Sequence, residues 1–157
     1  MGSYLDVLEE SLRKKLVVLD EIQVYNEKQY QCFSTEEPDI SGFDVAIEEK
    51  GLLIERINKL DEGFETLYEN VQGELQKNKQ KYAAQIAGMQ ELIRQITEKS
   101  AAIQAQEQRN KKAIETYFSK EKSRIKEGRV NSQAAYGYYK NLNKAVLEEK
   151  RAFDLKQ

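Results

Sequence analysis

Residues 43–75 read FDVAIEEKGLLIERINKLDEGFETLYENVQGEL. Phe43, Ile47, Ile54, Ile57, Phe64, Leu67, Val71 and Leu75 recur mostly three or four apart, with Glu, Lys, Asn and Arg between them. That spacing puts them on one face of a helix. The stripe resumes at Tyr82 and runs through Ile86, Met89, Leu92, Ile93, Ile96, Ile103, Ile114 and Phe118, with Ile125 beyond. A long stripe with polar flanks buries its seam against another long helix. The expected fold is all-α: an elongated antiparallel three-helix coiled-coil bundle followed by a C-terminal helical arm.

Composition agrees. At 157 residues one domain is expected, and 39% hydrophobic with 33% charged residues suits long solvated helices with narrow seams. Only one Pro interrupts the chain. The net charge of −2 gives no reason to expect nucleic acid. No stretch approaches the roughly 20 apolar residues of a membrane span, so no membrane insertion is expected. The N-terminus lacks a signal pattern, and Asp6 stands where a myristoylation motif needs Ser or Thr. The single cysteine, Cys32, fits a reducing cytoplasm and reads as an ordinary helix residue.

The first helix is expected over about 3–33, with Ser3 as N-cap and Leu5, Leu8, Leu12, Leu16, Leu19 and Ile22 as its stripe. Residues 34–42 collect Ser, Pro, Asp and Gly, the clearest break, after which Ser41 and Asp44 read as the capping start of helix 2. One helix from Phe43 to Ile125 would be about 120 Å long against about 45 Å for helix 1, leaving much of the stripe exposed. A turn is therefore expected between Asn70 and Gln80, giving helices at about 43–72 and 79–127. Residues 36–74 hold twelve acidic and three basic side chains, residues 109–129 eight basic and three acidic. Their attraction favours helix 3 running back along helix 2. Gly128 to Ser132 forms a third break, dividing a 1–127 bundle from a 128–157 arm. In that arm Tyr136, Tyr139, Leu142, Val146 and Phe153 share a rough helical face.

Catalytic signals are missing. With no histidine, imidazole catalysis and His-based metal sites are excluded. The glycines are scattered singly, so there is no phosphate loop, and no serine has a base to activate it. No enzymatic activity, cofactor or metal is expected.

Three stretches carry a resemblance: YLDVLEESLRKKLVVLDEI at 4–22, DVAIEEKGLLIERINKLDEGF at 44–64, and ITEKSAAIQAQEQRNKKAIETYF at 96–118. Their order and gaps resemble the FlgN-like flagellar export chaperones, especially Gram-positive, clostridial-type members, over roughly residues 4–125. The resemblance implies a cytosolic chaperone without ATPase activity. Such a chaperone binds the C-terminal helical ends of hook–filament junction (hook-associated) proteins, keeps them from assembling early, and brings them to the flagellar type III export gate. A groove between helices can complete the coiled coil of such an amphipathic end. Substrate contact is expected at Ile103, Ile114, Tyr117, Phe118, Tyr139, Leu142 and Val146. Some related members dock on the gate through a tyrosine near their C-terminal tail, in an LYG-type sequence. Here the stretch reads IKEGR at 125–129, and Tyr136 and Tyr138 are the nearest substitutes. The arm is expected to cover its own groove or that of a second copy, to touch substrate, or to stand apart. The alternative reading is a structural coiled-coil adaptor or oligomerisation module.

Overall fold

The computed structural model of the protein describes residues 2–35 and 37–120. Three helices occupy nearly all of them: α1 (Gly2–Gln31), α2 (Ile40–Lys77) and α3 (Ala83–Lys120), with no strand among the described residues. The end expected for helix 3 and the whole 128–157 arm lie outside the described residues.

Each helix buries positions that alternate three and four apart. In α1 these are Leu5, Leu8, Leu12, Lys15, Leu19, Ile22, Asn26 and Gln29. In α3 they are Met89, Ile93, Ile96, Ser100, Ile103, Glu107, Asn110 and Ile114. In α2 the same rhythm runs from Phe43 to Val71, with Lys50 buried and Asp61 half-buried in the series. A strict period of 3.5 keeps the seam facing its partner only if the helices wind left-handedly about one another. Each fully buried Leu, Ile or Phe contributes roughly 1.5–3 kcal/mol.

The interhelical bonds fix the directions. Lys15 meets Asp61 while Asn26 meets Lys50, so α1 and α2 run antiparallel. Asp6 meets Gln85, Asp20 meets Lys99 and Glu27 meets Arg109, so α1 and α3 run parallel. α1 is the central element. Its Cα atoms come within 8 Å of both neighbours, whereas no α2 Cα comes that near to α3.

The two breaks fall close to the expected places but are built differently. α2 starts at Ile40 with Asp39, not Ser41, as its N-cap. The Asp39 carboxylate accepts a bond from the Gly42 N–H at 2.8 Å, and the Asp39 N–H donates to the Cys32 carbonyl at 2.9 Å. Gly42 makes room for this cap: a Cβ there would lie 2.4 Å from an Asp39 carboxylate oxygen. α1 begins at Gly2, so Ser3 sits inside its first turn. The second turn is at 78–82: α2 ends at Lys77, five residues beyond its expected end, and α3 starts at Ala83, four beyond its expected start. Gly73 does not break the helix. Asn78 ends it, its backbone N–H and its side-chain amide both donating to the Glu74 carbonyl. Among the described residues α2 and α3 are equally long, at 38 residues each.

Asp39→Ala should therefore cost about 0.5–2 kcal/mol, the usual range for a lost N-cap. Gly42→Ala should cost a similar amount by displacing the same carboxylate. Gly73→Ala, which meets open space, should instead gain up to about 1 kcal/mol. Urea unfolding followed by circular dichroism checks all three, and a neutral Gly42→Ala would remove the cap explanation.

Candidate functional site

A buried ammonium lies at the centre of the bundle. Lys50 is fully buried, and its Nζ donates to Asn26 Oδ1 at 2.7 Å, to Glu107 Oε1 at 2.7 Å and to Gln29 Oε1. Three acceptors meet the three hydrogens of the ammonium. They come from α1 and α3, so α2 is tied to both. Asn110 Nδ2 donates to the Asn26 carbonyl at 3.1 Å, and Asn26 Nδ2 to Gln106 Oε1 at 3.1 Å. At the rim, Arg109 bonds Glu27 at 2.9 Å, and its guanidinium lies 3.8 Å from the Tyr30 ring centre. Burial pushes the Lys50 amine down from its ordinary 10.5 to about 8, and Glu107 opposes that fall. At neutral pH the group remains charged. A second ion pair, Lys15–Asp61 at 2.8 Å, joins α1 and α2 three turns away.

This layer fixes register. If α1 slid by one heptad, Leu19 and Ile22 would replace Asn26 and Gln29, and the ammonium would lose two acceptors. No cluster of acidic or cysteine side chains among the described residues is placed to hold a metal. Cys32 is buried, and its thiol donates to the Lys28 carbonyl at 3.2 Å. Burial, with Asp39 adding, pushes that thiol up, which makes it a poor nucleophile.

The concave surface lies on the outer seam of α1 and α2. An open groove of about 590 Å³ is lined by Val7, Ser11 and Lys14 of α1 and by Leu60, Gly63, Phe64 and Leu67 of α2. Val7 is 57% exposed, and Leu60 and Leu67 are half-buried, so apolar surface is available. Gly63 leaves one wall without a side chain, and a Cβ there would meet nothing within 4 Å. Asp6, Glu10, Lys14 and Lys59 give the rim both signs of charge. Val18 and Leu53, one heptad further along each helix, are buried and close the seam. Beyond them it opens again, between Tyr25, Lys28, Val45 and Glu49.

The expected substrate residues fall in different places. Ile103 and Ile114 are buried in the core. Tyr117 and Phe118 are half-buried in an aromatic cluster at the end of α3: Tyr117 is 5.3 Å from Phe33 and 5.5 Å from Phe118, and Phe33 is 5.2 Å from Phe43. Tyr136, Tyr138, Tyr139, Leu142 and Val146 lie outside the described residues.

The polar layer was missed by reading only the apolar residues of the stripe. Asn26, Lys50 and Glu107 stand at stripe positions, and such polar intrusions are its signal. The groove carries no comparable signal, since Val7 and Leu60 look like any flanking apolar residues. No family model, curated protein or solved structure matches this chain, and no helix among the described residues is long and apolar enough to cross a membrane.

Replacing Lys50 with Met strands Glu107 in the layer and should cost about 3–5 kcal/mol. The double change Lys50→Met, Glu107→Leu should cost less than the single one. The pH dependence has a definite sign. The folded amine titrates near 8 and the unfolded one near 10.5, so between these values the unfolded chain holds more protons. Raising the pH through that window therefore stabilises the native chain relative to Lys50→Met. Urea unfolding of both proteins from pH 7 to 10.5 measures it; a constant difference would show an unshifted amine.

Proposed function

We propose that the protein holds an amphipathic helix of a partner in the α1–α2 groove, and that it is a flagellar export chaperone. Its substrates are the C-terminal helical ends of hook-associated junction proteins. It keeps these ends from assembling and brings them to the type III export gate in the cytoplasm. The observation that carries this reading is the apolar surface of Val7, Leu60 and Leu67 left open along the α1–α2 seam. Val7, Leu60 and Leu67 offer about two turns of contact, enough for side chains at i, i+3 or i+4, and i+7 of a partner helix. The three sequence stretches at 4–22, 44–64 and 96–118 supply the substrate class.

Holding needs no catalysis. A substrate end that is disordered when free must be ordered on binding, which reduces affinity per unit of interface. Contact along one seam therefore gives reversible capture, suited to handing the end over. Gate docking is assigned to Tyr136 and Tyr138 by their place in the sequence. A coiled-coil adaptor is the second reading. It is favoured by Val17 and Val24 on α1 and by Val45 and Leu52 on α2, each pair seven apart and all more than half exposed. Such faces suit association of copies, which would raise the mass of the protein with concentration.

The test separates binding from stability. Gly63→Leu fills the groove and replaces a helical glycine, so it should raise stability by up to about 1 kcal/mol. It should also weaken binding of a synthetic junction-protein C-terminal peptide at least about ten-fold, roughly 1.4 kcal/mol. Calorimetric titration measures it. If Gly63→Leu binds as well as the native chain while Tyr117→Ser with Phe118→Ser does not, the site lies at the end of α3 instead. If the native chain binds no such peptide and its mass grows with concentration, the adaptor reading replaces the chaperone.

A further inference from the structure

We infer that a second copy of this chain docks on the outer α1–α2 face, forming a twofold dimer centred beside the Lys50 layer. This does not rest on the chaperone reading. The face is centred near Val24, 17 residues along α1 from Val7 of the groove, or about 26 Å. It gives a definite surface and symmetry to the association of copies named above.

The heptad repeat places the residues. Lys14 and Lys28 line the two openings of the seam, so Glu21, seven residues from each, lies on the same face of α1. Gly63 and Glu49 do the same for Arg56 on α2. Height follows from the buried layer, where Asn26 meets Lys50 across antiparallel helices. Lys28 and Glu49 stand one or two residues to one side of that layer, and Glu21 and Arg56 five or six to the other. The four charges therefore form a square of alternating sign, about 10 Å on edge. Glu21, Lys28 and Arg56 are exposed and Glu49 is half-buried. Apolar side chains flank the square: Val17 and Val24 on α1, Val45 and Leu52 on α2, all more than half exposed. Such a patch, apolar and rimmed by charge, is the usual form of an interaction surface.

Alternation of sign selects the occupant. A twofold axis lying in this face sets α1 either on α1 of the copy or on its α2. In the first case Glu21 meets Lys28 of the copy, and Glu49 meets Arg56. In the second Glu21 meets Arg56, and Lys28 meets Glu49. Either way each charge meets its opposite, so the face is complementary to itself. The far flank of α2 has no such property. It repeats Glu48, Glu55, Glu62 and Glu69, all exposed, and two copies of it would repel. Among the described residues of α3 no large apolar side chain is exposed. Apolar surface and alternating charge thus coincide on the α1–α2 face. The patch spans about 25 Å along the helices and about 20 Å across them, roughly 500 Å² per copy. That is below the roughly 800 Å² per partner of a standard stable interface. The dimer is therefore weak and reversible, with a dissociation constant in the micromolar range.

Sedimentation equilibrium of the full chain, from about 1 to about 500 µM, tests this. Monomer should give way to dimer across that range. Glu21→Lys should raise the dissociation constant at least about ten-fold, because two symmetry-related pairs become repulsive. Val24→Ser should raise it as well. One compensating change should restore the dimer: Lys28→Glu added to Glu21→Lys if α1 sits on α1, or Arg56→Glu added to it if α1 sits on α2. The other double variant should associate more weakly still. A residue serving only the stability of the fold would show no such rescue. Each variant is compared at a temperature where circular dichroism shows it folded. A dimer indifferent to both Glu21→Lys and Val24→Ser, or unrestored by either double variant, overturns the inference. So does a chain that stays monomeric throughout. If that monomer binds the junction-protein peptide, the chaperone reading stands without the dimer.

Discussion

A single cation constrains this bundle more than any apolar contact. An ammonium buried at Lys50 is tolerable only where its three hydrogens meet acceptors. The acceptors belong to α1 and α3, while the cation belongs to α2, so one group specifies the relative height of all three helices. Apolar seams are far less demanding. One heptad of Leu and Ile resembles the next, and a bundle held by them alone has near-equivalent alignments. The polar layer resolves that ambiguity, at a cost in desolvation that shows as a depressed amine pKa. The Lys15–Asp61 pair repeats the constraint between α1 and α2 alone.

Central placement of α1 follows from how the seams are distributed. α1 buries Val18 beside its main stripe and meets α3 through Asp6, Asp20 and Glu27 on its other flank. One flank is thus apolar toward α2 and the other polar toward α3. α2 and α3 each spend one flank on α1. The helix with two used flanks lies in the middle, and the concave surfaces arise where flanks diverge. Gly63 matters for that reason: within a helix it costs propensity, but on a diverging flank it widens the opening.

Much of the architecture was legible in the residues. The spacing from Phe43 onward gave helices, and the length mismatch between a continuous stripe and helix 1 required a turn. Pro38, Ser41 and Gly42 marked the first link. What escaped depended on competition between neighbours. Asp39 and Ser41 are both good caps, and Asp39 prevails because Gly42 leaves space for its carboxylate and its own N–H reaches Cys32. Gly73 stays inside α2 because an exposed glycine only weakens a helix, whereas Asn78 satisfies the carbonyl that ends it. Lys50, Asn26 and Glu107 were readable as interruptions in a periodic series, but their meeting at one height required the register itself. The groove was not legible, since concavity is a property of two helices and not of either sequence.

The order of the helices along the chain has a consequence for synthesis. α1 and α2 contacts join residues 21 to 49 apart, while α1 and α3 contacts join residues 79 to 84 apart. Closing the shorter loops costs less entropy, and the N-terminal part of a chain leaves the ribosome first. A hairpin of α1 and α2 is therefore the earliest unit that can form. Within it Lys50 reaches Asn26 and Gln29, but Glu107 follows 57 residues later. The nascent hairpin holds a cation whose counter-ion has not yet been made. It must stay hydrated along that side, and its final drying waits on α3. The most exacting layer of the bundle is thus the last to be completed, and the growing chain remains open on the face where α3 will dock.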